Sequence, residues 1–227
     1  MHNRTESVAI LIDGGFFLKR YSLLVNPSKD HTPEQVARNL CTFAYRHVGD
    51  GNHLYRIYYY DCMPFDKRVH NPVTKKVIDF KKTPQYKFRL ELFEELKKKR
   101  KVALRLGVIK DSKNWSLLPG LAKDLIEGKI KITDIKDTDV SYDLRQKGID
   151  TKIGVDIVSL ALKKTVTRIV LISGDADFVP AAKLARREGI DFILDPMWNK
   201  IDDSLSEHID GLHSTFPRPN SFPAIKK

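Results

Sequence analysis

The sequence has little cysteine, no long apolar run and no regular histidine spacing, and each shortage excludes a class of protein. Cys41 and Cys62 are its two cysteines and form no CxxC pair, which argues against a secreted disulfide framework and structural zinc. No apolar run reaches the roughly 18 residues that span a bilayer, and the polar start MHNRTES does not predict a signal peptide. We therefore expect a cytoplasmic protein without membrane association.

Familiar catalytic groups other than carboxylates are also missing from the sequence. The seven histidines show no HxxxH or comparable spacing, so neither a zinc site nor a histidine-based ribonuclease site is indicated. No motif for a cysteine or serine nucleophile is present.

Charge is the unusual feature of the composition. Forty Lys and Arg residues against 29 Asp and Glu give a net charge of +11. Such a surface attracts polyanions through its long-range field and through counterion release, which favours nucleic acid as the partner. Generic solubility charge is the alternative, and composition does not separate RNA from DNA or from an anionic membrane.

Short apolar runs alternate with helical patterns along much of the chain. Runs at 7–12, 54–60, 102–109, 168–173 and 190–194 predict strands, with helices between them, and this alternation favours a doubly wound parallel sheet. The pattern fades between 110 and 146, where the alternating segment 129–135 predicts an edge strand. The proline-containing segment from Ser214 onward predicts an unpacked tail.

Acidic residues stand where the apolar runs stop. Asp13 follows VAILI, and Asp175 and Asp177 follow RIVLIS. Ligands of an open parallel sheet collect at the carboxyl ends of its strands, so Asp13 and Asp175 share one crevice if their strands are neighbours. Asp150 opens the preceding helix and Asp156 lies inside it; both fall about 60° from the centre of the apolar stripe.

Each acid also has a purely structural interpretation. Asp13 could favour the turn before Gly14, and Asp150 or Asp177 could cap a helix. Asp156 could pair with a lysine of its own helix. Independent caps have no reason to meet at one edge of a sheet, so convergence of the acids would favour a functional site.

Carboxylates that lie together repel one another, and a divalent cation relieves that repulsion. Oxygen ligands without a His/Cys set favour Mg²⁺ or Mn²⁺ over zinc. Such ions can activate a water molecule against a phosphodiester, while a basic surface holds the nucleic-acid backbone.

Three segments in order resemble one known family. IDGGFF near the start, KGIDTKIGVDIVSLA in the third quarter and SGDADFVPAAKLA after it resemble the NYN domain family in its LabA-like branch, within the PIN-like nuclease superfamily. The likeness spans roughly residues 6 to 200. It implies an α/β fold, a PIN-like three-layer α/β/α sandwich with a central, mostly parallel sheet, and RNA cleavage that depends on Mg²⁺ or Mn²⁺.

The resemblance also implies roles for individual residues. By motif position, the family's catalytic and metal-binding acids fall on Asp13, Asp150, Asp175 and Asp177. Asp156 matches a recurrent family acid and is a further candidate metal ligand. A supporting hydrogen bond is expected of Ser173, and an RNA contact is expected of Lys147. Apart from the resemblance, Lys19 and Arg20 are candidate RNA contacts because they closely follow Asp13. The Asn that family members often carry shortly after the first Asp-Gly is missing from Asp13-Gly14-Gly15-Phe16-Phe17.

These observations predict a nuclease domain over residues 6–212, with a weakly matched elaboration around 63–146 and a flexible tail at 213–227. The leading hypothesis is a metal-dependent endoribonuclease. An RNA-binding adaptor without turnover and a metal-dependent phosphohydrolase of a small phosphorylated substrate are the alternatives. PIN-like domains often pair, so a second copy of the chain is also a candidate partner.

Overall fold

The structure is a computed structural model that describes residues 5–219. The chain forms two compact units. The larger comprises residues up to 61, 91–107 and 148 onward, and the smaller comprises 62–90 and 108–147. Helix α3 (Pro84–Lys97) and strand β5 (Val102–Leu117) each begin in one unit and end in the other.

The larger unit is built on a mostly parallel sheet. Its further strands are β1 (Ser7–Asp13), β2 (His53–Cys62), β7 (Arg168–Ile172), β8 (Asp191–Asp195) and β9 (Gly211–Leu212). The strand order is β5-β2-β1-β7-β8-β9, with β1 parallel to both β2 and β7 and with β8 parallel to β7 and β9. The predicted α/β fold with a mostly parallel central sheet is confirmed.

Strand β1 lies at the centre of this sheet because it is apolar on both faces. Val8 to Ile12 are all completely buried, and their register places Ile12 beside Tyr59 of β2 and Ile172 of β7. A strand that is covered on both faces is what a continuous apolar run without alternation predicts. Asp13 and Ser173, the residues that follow Ile12 and Ile172, therefore emerge at the same edge of the sheet.

Helices α1 (Gly14–Leu24), α2 (Pro33–Arg46), α5 (Ile149–Leu162), α6 (Val179–Arg187) and α7 (Asp203–Ser206) complete the larger unit. Helix α2 begins with a capping box between Thr32 and Gln35 and has Pro33 in its first turn. Helix α1 was not predicted, since Gly14 and Gly15 indicated only a turn. Gly14 is required there because a Cβ atom would lie 2.6 Å from Cζ of Tyr59.

The smaller unit contains a two-stranded hairpin of β3 (Arg68–His70) and β4 (Val77–Asp79). It also contains helix α4 (Leu121–Ile126) and strand β6 (Val140–Lys147), which pairs antiparallel with the second half of β5. The aromatic rings of Phe65, Phe80, Trp115 and Tyr142 pack together.

The predicted edge strand at 129–135 is wrong. Ile132–Asp134 is a short 3₁₀ helix, whose start is fixed by the Asp134 carboxylate as it accepts from the Lys131 backbone N–H at 2.9 Å. Ile132 is 78% exposed, so the apolar residues of this segment do not form one buried face. A local cap therefore prevails over the alternating pattern.

The tail is packed at its beginning. Phe216 is buried against Phe43, with ring centroids 4.3 Å apart, and Thr215 donates to the carbonyl oxygen of Phe43 at 3.0 Å. The prediction of an unpacked segment from Ser214 onward is wrong for these residues, because one large aromatic side chain outweighs the nearby prolines. Residues 220–227 of the predicted tail lie outside the described residues.

Among residues 5–219, no helix is both long and apolar enough to cross a membrane.

Candidate active site

Asp13 stands at the junction of β1 and α1. Its Oδ1 accepts a hydrogen bond from the Phe16 backbone N–H at 3.0 Å, which makes Asp13 the N-cap of α1. The helix start fixes the carboxylate at the carboxyl end of the sheet. The local interpretation, in which Asp13 favours a turn before Gly14, is wrong in form: β1 ends at Asp13 and α1 begins at Gly14, so Asp13 caps a helix. Capping uses only Oδ1 of Asp13, and the carboxylate still lies close enough to Asp150 and Asp61 to be affected by their charges.

Asp175 and Asp177 belong to the segment that leaves the neighbouring strand β7. The Asp175 carboxylate caps the 3₁₀ helix Ala176–Phe178 by accepting from the Asp177 backbone N–H at 3.0 Å. Ser173 is completely buried, and its hydroxyl accepts from the Asp175 backbone N–H at 3.4 Å. The alternative in which Asp177 caps the next helix is wrong, because α6 has no side-chain cap.

Asp150 lies in the first turn of α5 without capping it. Gly148 is the N-cap, with φ at 82°, a conformation that glycine adopts readily. The alternative that Asp150 is an ordinary N-cap is therefore wrong. A carboxylate in this first turn is favoured by the partial positive charge of the helix N-terminus, which partly offsets its proximity to other acids.

The pKa shifts of two carboxyl groups show that these acids converge. Burial raises the pKa of Asp13, hydrogen bonds from the Phe16 and Gly15 backbone lower it, and the charges of Asp150 and Asp61 raise it. Partial burial raises the pKa of Asp150, and the charges of Asp175 and Asp177 raise it further. Acids from β1, α5 and the β7 exit therefore share one electrostatic environment.

A cavity of about 460 Å³ opens at this edge of the sheet. Its lining residues come from the ends of β1 and β7 and from the segment after β8: Asp13, Phe16, Ser173, Gly174, Asp175, Ala176, Asn199 and Asp202. A larger groove of about 1000 Å³ runs beside α6, but no predicted site residue lines it. The smaller cavity is therefore the candidate active site.

Asn199 and Asp202 were missed by the sequence analysis. Both are exposed and lie in the segment after β8, far along the chain from the acidic motifs. Asn199 approaches Gly174 so closely that a Cβ atom on that glycine would lie 3.3 Å from Nδ2 of Asn199. Asn199 therefore places a side-chain amide at the cavity.

Buried polar contacts hold the segment that carries Asn199. Asp195 is completely buried; its Oδ1 accepts from the Met197 backbone N–H at 2.7 Å and its Oδ2 contacts Nε2 of His47 at 2.8 Å. Met197 and Trp198 both have positive φ, 46° and 60°, which non-glycine residues rarely adopt. Arg20 donates to the Met197 carbonyl oxygen from Nε and Nη2 at 3.0 and 2.7 Å.

The structure gives Asp156 two protein partners. Its Oδ2 accepts from the Tyr60 hydroxyl at 2.8 Å and lies 3.0 Å from Nε of Arg105. Arg105, and not a lysine of α5, is therefore its ion-pair partner. Asp156 is not among the charges that raise the pKa of Asp13 or Asp150. These contacts account for an acid at the edge of the apolar face without a metal.

One further acid joins the site from β2. Asp61 is completely buried, accepts from the Tyr59 hydroxyl at 3.4 Å and raises the pKa of Asp13. Its signal in the sequence was its position at the end of a strand, like Asp13.

The structure places the three predicted RNA contacts on different elements. Lys19 is exposed on α1, Arg20 binds Met197, and Lys147 is exposed at the end of β6.

The donor set suits a hard divalent cation. Carboxylate, hydroxyl and amide oxygens line the cavity, and burial first, then the charges of neighbouring carboxylates, raise the pKa of Asp13 and of Asp150. Within residues 5–219, no three His, Cys, Asp or Glu side chains are already grouped tightly enough to hold an ion. The carboxylates would therefore have to move toward a bound cation.

A model of the NYN domain family matches residues 72–213, which is more than half of the chain. The chain belongs to the NYN domain family. The predicted likeness is thus confirmed at the level of the family, whose domains have the PIN-like nuclease fold; the second and third acidic motifs lie within the matched residues, and the IDGGFF motif lies before them. No curated protein matches the chain. A solved structure of a protein of unknown function from Vibrio parahaemolyticus is 15% identical, covering 95% of this NYN protein and 98% of that chain, with a TM-score of 0.46.

Proposed function

We propose that this NYN protein is a Mg²⁺- or Mn²⁺-dependent endoribonuclease whose active site is the carboxylate cluster at the ends of β1 and β7. One observation carries the proposal: acids from three separate elements converge. Asp13 and Asp175 line one cavity, the charge of Asp150 raises the pKa of Asp13, and the charges of Asp175 and Asp177 raise the pKa of Asp150. Convergence of acids from separate elements raises the free energy of the folded state unless a cation or protons neutralise them, and such clusters are typical of functional sites.

Asp13, Asp150, Asp175 and Asp177 would hold the cation, which would supply an activated water and stabilise the leaving oxygen of the phosphodiester. The protein's own groups position the rest. The buried Ser173 hydroxyl fixes the backbone that presents Asp175, and the α1 cap fixes Asp13. Ionised carboxylates only accept hydrogen bonds, so they cannot bind a phosphate oxygen directly. The side-chain amide of Asn199 has N–H donors and can donate to a phosphate oxygen in the cavity.

Charge supports RNA over a small phosphorylated compound as the substrate. A net charge of +11 is far more than one small anion requires, whereas a polyanion engages many cations at once. Cleavage of RNA should therefore fall steeply as salt rises, while hydrolysis of a small phosphoester should not. As part of the same proposal, the chain falls in the LabA-like branch of the family, acts in the cytoplasm and pairs with a second copy of itself.

Cleavage of an end-labelled, mixed-sequence RNA tests the proposal. Wild-type protein is incubated with Mg²⁺ or Mn²⁺, beside Asp13→Asn, Asp175→Asn and the matched control Asp50→Asn. Asp50 is exposed in the turn between α2 and β2. We expect EDTA or either site substitution to lower cleavage by at least about 100-fold, while the control cleaves normally.

Other results would overturn the assignment in different ways. RNA that is bound but left intact across metals would indicate an adaptor without turnover. Cleavage that persists in both Asn variants would place the active site elsewhere. Rapid hydrolysis of a small phosphoester, with RNA left intact, would favour the phosphohydrolase.

A further inference from the structure

The smaller unit carries most of the excess positive charge. Residues 62–90 and 108–147 contain 16 Lys and Arg against 9 Asp and Glu, although they are less than a third of the chain. More than half of the net charge of +11 therefore belongs to this unit. Excess charge concentrated in one part of a chain is typical of a surface for polyanions and is not required for solubility.

Most acids of this unit form ion pairs or hydrogen bonds with neighbours in loops, helices and the hairpin, and none of these partners is Lys110, Arg145 or Lys147. Asp111 pairs with Lys67 at 3.3 Å, Asp79 with Arg68 at 2.9 Å, and Asp66 with Lys81 at 3.4 Å. Asp137 pairs with Lys76, and the two acids of the α4 segment pair with Lys123 and Lys129. Asp134 and Asp139 each accept a backbone N–H.

Strand pairing places three cations on one exposed face of the β5–β6 ladder. Lys110 lies directly opposite Arg145, and Val108 lies opposite Lys147. All four are exposed and alternate with half-buried Ile109 and Leu144 on the other face. We call Lys110, Arg145 and Lys147 the cationic face. In the described chain, none of its three members has a carboxylate within the 4.0 Å of an ion pair.

Opposed residues on an antiparallel pair have Cβ atoms about 5 Å apart, and like charges there destabilise the sheet. The nearest acid along β6 on this face, Asp143, accepts from the Ser116 hydroxyl at 2.8 Å. Strand alternation sends Asp111 to the opposite face, where Lys67 and the Tyr142 hydroxyl bind it. The repulsion between Lys110 and Arg145 therefore has no compensating partner within the unit.

We propose that the cationic face binds the phosphate backbone of the RNA substrate. The inference rests on the proposed function for the identity of the polyanion, and it adds Lys110 and Arg145 to the predicted contact Lys147. Arg145 and Lys147 are two residues apart along β6, about 7 Å by the rise of a strand, and Lys110 lies beside Arg145 on β5. This spacing along β6 suits neighbouring phosphates of one RNA strand, with Lys110 beside the first of them. Such contacts position RNA without reading its sequence, since they engage phosphate and not base edges.

Equilibrium binding of a fluorescent single-stranded RNA, measured in EDTA so that it stays intact, tests the inference. The triple variant Lys110→Gln/Arg145→Gln/Lys147→Gln is compared with wild type between about 0.05 and 0.2 M salt. Each lost phosphate contact reduces the slope of log K against log salt by about 0.7, so the slope should fall by roughly 2. The dissociation constant should rise by about 10- to 100-fold at 0.1 M salt.

The matched control is Lys123→Gln/Lys129→Gln/Lys131→Gln, which removes the same charge from the α4 segment of the same unit. It should change the slope much less. Thermal unfolding adds a second readout, because loss of the Lys110–Arg145 repulsion should leave stability equal or higher. Weaker binding with an unchanged or raised melting temperature supports a binding role and argues against misfolding.

The outcomes separate this inference from the nuclease proposal. If wild type cleaves RNA and the triple variant binds like the control, the cationic face is overturned and the nuclease stands. If the triple variant loses binding but wild type cleaves no RNA with any metal, the face stands and the nuclease fails. Equal loss of slope in both triple variants would also overturn the face, because it would indicate binding by diffuse charge.

Discussion

Arg20 donates two hydrogen bonds to the carbonyl oxygen of Met197, from Nε at 3.0 Å and from Nη2 at 2.7 Å. Met197 begins the pair of positive-φ residues that precede Asn199 at the cavity. The contact therefore joins the first helix to the loop that supplies the amide. Arg20 has a structural role here, and its predicted contact with RNA stays a prediction.

Arg20→Lys should weaken the site without removing its charge. A lysine cannot reproduce the two guanidinium donors that converge on this one oxygen, so the loop should loosen and carry Asn199 and Asp202 away from the cavity. We expect a loss of activity of roughly 10- to 100-fold, typical of groups that orient a metal site, and a stability loss of about 1–2 kcal/mol. Steady-state cleavage and thermal unfolding measure the two effects.

Arg187→Lys is the matched control, because Arg187 is exposed at the end of α6. It should change neither quantity measurably. Unchanged cleavage by Arg20→Lys would contradict a role of the loop in the site.

Asp13→Asn should abolish cleavage yet stabilise the metal-free protein. The amide oxygen can still accept from the Phe16 N–H, while the charge that burial and Asp150 disfavour is gone. The folded-state pKa of Asp13 is raised, so the folded protein binds this proton more tightly than the unfolded chain does. The penalty is therefore present above the folded-state pKa and is relieved as pH falls through it.

In EDTA near pH 7, the melting temperature of Asp13→Asn should exceed that of wild type by roughly 2–4 °C, corresponding to about 1 kcal/mol. The difference should shrink as the pH falls toward about 4. Asp13→Ala, which also loses the helix cap, should not show the same gain. A wild-type protein that is more stable than Asp13→Asn at neutral pH without metal would refute the argument.

Mn²⁺ should raise the melting temperature of wild type through the carboxylate cluster. A ligand at about 100 times its dissociation constant adds about 2.7 kcal/mol to the free energy of unfolding. Asp150→Asn and Asp175→Asn should each lose most of that shift, because the two carboxylates lie close enough for the charge of Asp175 to raise the pKa of Asp150. Asp50→Asn should keep it, and an equal Mn²⁺ shift in all four proteins would place the cation elsewhere.

The fold and the acidic edge could be predicted because their signals are local. An unbroken apolar run predicts a buried strand, and an acid after it predicts a position at the carboxyl end, as with Asp13 and Asp175. The neighbouring positions of β1 and β7, which the prediction required, are confirmed by the pairing of Ile12 with Ile172.

The missed features depend on contacts between distant parts of the chain. Asn199 reaches the cavity because Arg20, 179 positions earlier, and the buried Asp195 hold its loop. Strand β6 exists through pairing with β5, and its own sequence, VSYDLRQK, is too polar to indicate a strand. Long-range pairing of this kind leaves no periodicity in the sequence.

Asp156 provides a prediction that separates a metal ligand from an ion-pair partner. If the role of Asp156 is to bind Tyr60 and Arg105, Asp156→Asn should keep the rise in melting temperature that Mn²⁺ causes. It should lose only about 0.5–1 kcal/mol of stability, because the Arg105 side chain is 45% exposed and solvent screens the pair. Arg105→Gln should cost a similar amount. The double variant should then cost less than the two single changes together, because both remove one interaction. Loss of the Mn²⁺ shift in Asp156→Asn but not in Arg105→Gln would instead make Asp156 a metal ligand.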